Sequence, residues 1–167
     1  MNTDLLIWNA QNAIGFGSNA AYPTQEATAE RFYVPFDDST AESCIFNAIM
    51  PEGYESGQTL KADIYFYMAS ATSGNVDFEI SLEAITSGDS VDLDAGSSFD
   101  DANSNNGAVP ATQGYLGKIT VTLTNKDSVA VGDMIRLKLS RDADDGTNDT
   151  AVGDCNVTNV RLYQSTT

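Results

Sequence analysis

Four segments of the chain alternate apolar and polar residues with the period of two that marks a strand with one buried face. In QTLKADIYFYMAS, Leu60, Ala62, Ile64, Phe66 and Met68 point one way and Lys61, Asp63, Tyr65 and Tyr67 the other. In NVDFEISLEAI, Val76, Phe78, Ile80 and Leu82 alternate with Asp77, Glu79, Ser81 and Glu83. GKITVTLTN and MIRLKLS repeat the pattern through Ile119, Val121 and Leu123, and through Ile135, Leu137 and Leu139. Leu5–Trp8, Arg31–Val34, Cys44–Met50 and Val157–Tyr163 are weaker strand segments. In the last of them the three-residue step from Val157 to Val160 predicts a bulge or bend. PEGYESG, ATSGN, SNNGAVP and VGD supply turns between strands, and no segment of any length carries a helical period. About eight short strands with this punctuation predict an all-β, antiparallel two-sheet β-sandwich of jelly-roll type.

Two regions depart from the strand rhythm. Residues 1–30 combine LLIW with an Ala-, Asn- and Gly-rich stretch and read as an extended N-terminal arm, or assembly segment, ahead of one jelly-roll domain over 31–167. The alternative is that Leu5, Ile7 and Trp8 add an edge strand to their own domain. Residues 86–114 form a polar insertion, long enough to be either functional or disordered.

At 167 residues the chain suits one domain with its own core. Eight basic against 24 acidic residues give a formal charge of −16. That charge argues against nucleic acid as a partner and against an anionic membrane surface. No apolar run approaches membrane-span length. Asp4 stands where a signal peptide carries positive charge, so the start does not read as an export signal. Without export, the sequons at Asn148 and Asn156 are idle. Cys44 and Cys155 have no CxxC context and read as two small buried thiols, with a disulfide between them as the alternative and metal ligation disfavoured.

The chain has no histidine, which removes the commonest general base and the Ser-His-Asp triad. It also lacks a phosphate loop, a dinucleotide fingerprint and a nucleophile elbow, so the chemistry to look for is binding rather than catalysis. SRDADDGTNDTAVGD, residues 140–154, invites a calcium reading through Asp142, Asp144, Asp145 and Asp149. Counted from Asp142 the EF-hand register fails, because position 5 is Gly146 and position 12 is Gly153. A strand-connecting loop ordered by its own Asp and Asn caps, with Arg141 paired to one aspartate, accounts for the run without a metal. Tyr65 and Tyr67 stand on the outward face of their strand, where aromatic residues can stack on a sugar, fill a protein interface or simply cover a sheet. The lone tryptophan, Trp8, lies in the arm.

Read in order, Met50-Pro51-Glu52-Gly53-Tyr54, then TLKADIYFYMASATSGNVDFEISLEAI, then GDMIRLKLSRDADDGTNDTAVGDCNVTNVRLY resemble tailed-bacteriophage jelly-roll structural proteins, the group that includes capsid decoration or cement proteins. The resemblance spans about residues 31–163. It implies a virion protein without cofactor or catalytic residues, which binds the major capsid protein on the outside of the head after assembly in the host cytoplasm, as a homotrimer. Within that picture the arm supplies the capsid or subunit contact through Leu5, Leu6, Ile7, Trp8, Ile14, Phe16 and Tyr22, a role inferred from composition. The alternative is a carbohydrate- or receptor-binding module of a phage fibre or spike.

Overall fold

The computed structural model describes residues 1–165 as two facing antiparallel sheets. The strands in chain order are β1 (Asn2–Asn9), β2 (Ile14–Gly15), β3 (Thr24–Gln25), β4 (Phe32–Phe36), β5 (Ser43–Ile49), β6 (Thr59–Met68), β7 (Asn75–Ile85), β8 (Asn103–Ala108), β9 (Gly117–Leu123), β10 (Met134–Arg141) and β11 (Cys155–Ser165). The first sheet runs β3-β4-β11-β6-β9, with β1 also on β11, and the second runs β2-β5-β10-β7-β8. The expected jelly-roll sandwich is the observed fold.

The four strongly alternating segments became β6, β7, β9 and β10. Their apolar residues face inward and meet between the sheets, where Phe66, Phe78, Ile80, Leu137 and Leu139 are wholly buried. Phe78 takes Phe36 and Phe66 edge-on, at ring-centroid distances of 6.2 and 5.7 Å. Each such side chain contributes about 1.5–3 kcal/mol by leaving water. The irregularity expected after Val157 is present as a register shift between Val157 and Asn159 where β11 pairs with β6.

Residues 1–30 are not a free arm. β1 lies along residues 159–165 of β11, the 3-10 turn Ala10–Asn12 follows, and β2 and β3 pair with β5 and β4. The edge-strand alternative therefore holds. The reason is Trp8, which is buried at 5% exposure against Phe46 and donates its indole N–H to the Asn47 carbonyl oxygen of the opposite sheet at 3.1 Å. A tryptophan with its polar group satisfied inside the sandwich anchors the strand that carries it.

The polar insertion is likewise interrupted by structure. β8 (NSNNGA) pairs along β7 through backbone hydrogen bonds, with no alternation of apolar side chains to announce it. Asn103 holds its start: its amide donates to the Ile80 and Asn125 carbonyls, and its oxygen accepts from the Thr124 and Asn125 amides. Cys44 and Cys155 are free and fully buried, and burial pushes both thiols far up from their ordinary range.

Candidate functional site

On the outer face of the first sheet, the strand register sets side chains in rows. Ile7, Arg161, Asp63 and Thr120 stand opposite one another across β1, β11, β6 and β9, and the next row holds Asn9, Asn159, Tyr65 and Lys118. A further row carries Asp4, Tyr163, Lys61 and Thr122, and Tyr67 lies beyond, edge-on to Tyr33 at 5.9 Å. The result is a sheet face with four tyrosines set among polar groups.

A shallow cleft of about 290 Å³ opens here, lined by Ile7, Tyr65, Leu116, Thr158, Asn159 and Arg161. Its polar wall is fixed in place. Asp63, 1% exposed, accepts from Thr120 Oγ1 at 2.6 Å, Arg161 Nη1 at 3.1 Å and Lys118 Nζ at 3.3 Å. Arg161 also donates Nε to Asp4 Oδ1 at 2.7 Å and lies 4.4 Å from the Tyr163 ring centroid. The bonds it donates to Asp4, more than the one it donates to Asp63, hold the guanidinium above its ordinary pKa. Burial raises Tyr67, with Tyr33 adding to it, and burial followed by the Asp63 charge raises Tyr163. Three of the eight basic residues, Lys61, Lys118 and Arg161, stand in these rows against two carboxylates, Asp4 and Asp63. On a molecule of charge −16 this face is close to neutral.

Part of the outer face of the second sheet is covered by the chain itself. Residues 86–102 fold over it: the Asp100 amide donates to the Leu82 carbonyl at 2.9 Å, and Ser98 N–H reaches Glu83, leaving Glu83 3% exposed. Phe99 meets Phe16 edge-on at 5.5 Å, with Arg136 and Lys138 over its ring. A cleft of about 430 Å³ remains beside this cover, lined by Phe16, Leu93, Met134 and Arg136 among others. Arg136 is already engaged by Glu83 at 2.7 Å.

The seven residues expected to form one contact surface are dispersed. Leu5 and Leu6 are half-buried against the core, Trp8 is inside it, and Phe16 is spent on Phe99. Ile7 is exposed on the first sheet's face, whereas Ile14 and Tyr22 are exposed near the β2 edge of the second. The outward placement of Tyr65 and Tyr67 follows from alternation alone. Arg161, Asn159 and Thr158 were not legible as their companions, because only the pairing of β11 with β6 brings them together.

The aspartates of the 142–149 loop also separate. Asp149 binds the buried Arg141 through two bonds, Nε to Oδ2 at 2.8 Å and Nη2 to Oδ1 at 2.7 Å, and Asp144 is exposed. Asp142 and Asp145 instead approach Asp77 of β7, a residue that reads in the sequence as an ordinary outward polar position. Among the described residues, a carboxylate oxygen from each of the three lies within 4.8 Å of the others. Hydrogen bonds from Thr147 N, then from the Asn148 side chain, hold Asp145 below the usual carboxylate range. Burial, reinforced by Asp142, pushes Asp77 up to about 6.

The Asp77 shift fixes a sign. A carboxylate that titrates near 6 in the folded chain and near 3.8 when unfolded binds more protons in the fold across that interval. Its contribution to stability is therefore lost as pH rises through about 6. In EDTA, Asp77→Asn is expected to be more stable than the parent at pH 7 by about 1–3 kcal/mol, with the difference vanishing near pH 4. Urea unfolding of parent and variant at the two pH values measures it, and an advantage of the variant over the parent no larger at pH 7 than at pH 4 would contradict the shift.

No protein-family model and no curated protein matches the chain significantly. Solved structures do match in fold. The CBM22-1 xylan-binding domain from Paenibacillus barcinonensis Xyn10C superposes with a TM-score of 0.51 at 10% identity, over 99% of this chain and 97% of that one. The CBM36-1 domain of a multidomain xylanase from the hindgut metagenome of Trinervitermes trinervoides gives 0.50 at 12% identity, over the whole of both. The CBM22-1–GH10 modules of Clostridium thermocellum xylanase 10B, complexed with xylohexaose, give 0.50 at 15% identity, with this chain spanning 28% of theirs. At 10–15% identity these likenesses carry the architecture alone: the chain folds as a two-sheet jelly roll of the kind found in carbohydrate-binding modules.

Proposed function

We propose that the chain is a non-catalytic binding module whose first-sheet face takes a neutral or acidic oligosaccharide, in the manner expected of a phage fibre or spike. The observation that carries this reading is Tyr65 in its cleft. An aromatic ring stands beside Arg161, Asn159 and Thr158, whose positions are set by register and by hydrogen bonds. A pyranose presents an apolar C–H face and a rim of hydroxyls. A half-exposed tyrosine suits the first, and fixed donors and acceptors suit the second. The near-neutral charge of the face fits a sugar, and the xylan-binding description of a structure alike in fold supports the same reading.

A glycan array probed with the whole chain tests this, followed by affinity gels containing the retained polysaccharide. Tyr65→Ala and Arg161→Ala are each expected to weaken retention at least about 10-fold, or ~1.4 kcal/mol. Tyr22→Ala, exposed outside the rows, is expected to have no effect. Absence of any retained glycan would sink the reading.

A second reading keeps the face and changes the partner. Ile7, Tyr115 and Leu116 are 63–65% exposed, and the sequence motifs resemble capsid decoration proteins. Such a residue set can seat on a major capsid protein, with trimerisation multiplying a weak contact. Attachment to capsids that Leu116→Asp abolishes, with no glycan bound, would favour this partner.

A further inference from the structure

We propose that Asp77, Asp142 and Asp145 form a calcium site that ties the loop after β10 to strand β7. Two independent observations meet here. The first is the gathering of three carboxylate oxygens within 4.8 Å, a span compatible with oxygens arranged around a cation at 2.3–2.6 Å. The second is the state of Asp77. Its side chain belongs to a residue only 4% exposed, and its Oδ1 is buried with no hydrogen-bond partner among the described residues.

A buried, unpartnered carboxylate oxygen facing two more carboxylates is costly unless a positive charge joins them. The side-chain cations nearby are committed elsewhere. Arg141 spends its guanidinium on Asp149 and on the carbonyls of Phe36, Ala151 and Gly153. Lys138 lies over the Phe99 ring. The donor set is oxygen alone, without imidazole or thiolate, which selects a hard cation over zinc or copper.

The loop is already shaped for such a ligand set. Asp145 accepts from Thr147 N at 2.9 Å and Asn148 Nδ2 at 2.7 Å, and Asn148 in turn accepts from Asn106 of β8 at 2.9 Å. The Asp142 amide donates to the Asp77 carbonyl at 3.0 Å, which brings the loop back onto the strand. Asp142 and Asp145 are partly exposed, so water can complete the six to eight oxygens that calcium takes. The site is separate from the tyrosine face and does not depend on what that face binds.

The test uses the whole chain, stripped with EDTA and titrated with calcium chloride by calorimetry and thermal unfolding. The expected dissociation constant is about 10⁻⁵–10⁻³ M, with the unfolding midpoint raised by roughly 3–8 °C at saturation. Asp77→Asn and Asp142→Asn, each folded by circular dichroism, are expected to lose the response at least about 10-fold in affinity. Asp142 lies at the surface, so its variant keeps the test alive if the Asp77 variant fails to fold. Asp144→Asn, exposed and outside the trio, is expected to respond like the parent. No response up to about 10 mM calcium, an undiminished response in both trio variants, or equal loss in Asp144→Asn would overturn the site. An equal response to magnesium would overturn its assignment to calcium.

Discussion

Arg141→Leu is expected to lower stability by about 3–5 kcal/mol, a large part of what holds a domain of this size folded. On β10 the inward positions are Ile135, Leu137 and Leu139, and Arg141 continues that row into the end of the core at 0% exposure. There its guanidinium makes five hydrogen bonds, two to Asp149 and one each to the carbonyls of Phe36, Gly153 and Ala151. Burial works to lower its pKa, but the bonds and charge of Asp149 outweigh burial and hold it above the ordinary value. Leucine would leave Asp149, 7% exposed, as an uncompensated charge and three carbonyls without that donor. Lysine is no substitute, because one ammonium cannot bridge both carboxylate oxygens and reach three carbonyls. The double variant Arg141→Leu/Asp149→Leu is expected to recover part of the loss by removing the orphaned charge. It cannot recover all of it, since Asp149 Oδ2 also accepts the Asp77 amide at 3.0 Å. Urea unfolding of the three variants measures these differences, and a loss below about 1 kcal/mol for Arg141→Leu would contradict the role assigned to the pair.

Gly74→Ala is expected to cost about 2–4 kcal/mol, which is large for a single methyl on a turn. Gly74 closes the turn between β6 and β7 at φ +95°, a region costly for any side chain. Space compounds conformation. A Cβ there would stand 2.8 Å from the Thr150 carbonyl oxygen and 2.9 Å from the Ala151 nitrogen and Cα. Those atoms are backbone and are held to the same strand end, because the Thr150 and Ala151 amides both donate to the Asn75 carbonyl at 2.9 Å. They can yield only by releasing those bonds. Hydrogen exchange at Thr150 and Ala151 is therefore expected to accelerate along with the loss of stability, and unchanged protection at both would contradict the close approach.

The sequence pattern carried most of the core and little of the site, for reasons that particular residues make plain. Alternation reports which way a side chain points, so β6, β7, β9 and β10 and the outward Tyr65 and Tyr67 were readable. It is silent on β8, where NSNNGA is held by backbone pairing and by one asparagine. Residues 1–30 misled through composition: small and amide residues resemble a free arm, yet Trp8, Ala10 and Ala21 are core. The loop 140–154 gave a correct local signal in the Arg141–Asp149 pair. Its link to Asp77 was hidden because nothing along the chain says that a loop 65 residues later will lie over that strand position. Arg161 and Asn159 were hidden in the same way, since register across β11 is a property of the folded sheet.

The tyrosine face of the first sheet is proposed to bind a sugar. The most direct measurement is an amide chemical-shift titration of the whole chain with the first oligosaccharide retained on the array. The account predicts saturable shifts concentrated at Tyr65, Leu116, Thr158, Asn159 and Arg161, and their loss in Tyr65→Ala. Saturable shifts confined to the second sheet, around Phe16, Leu93 and Met134, would contradict it.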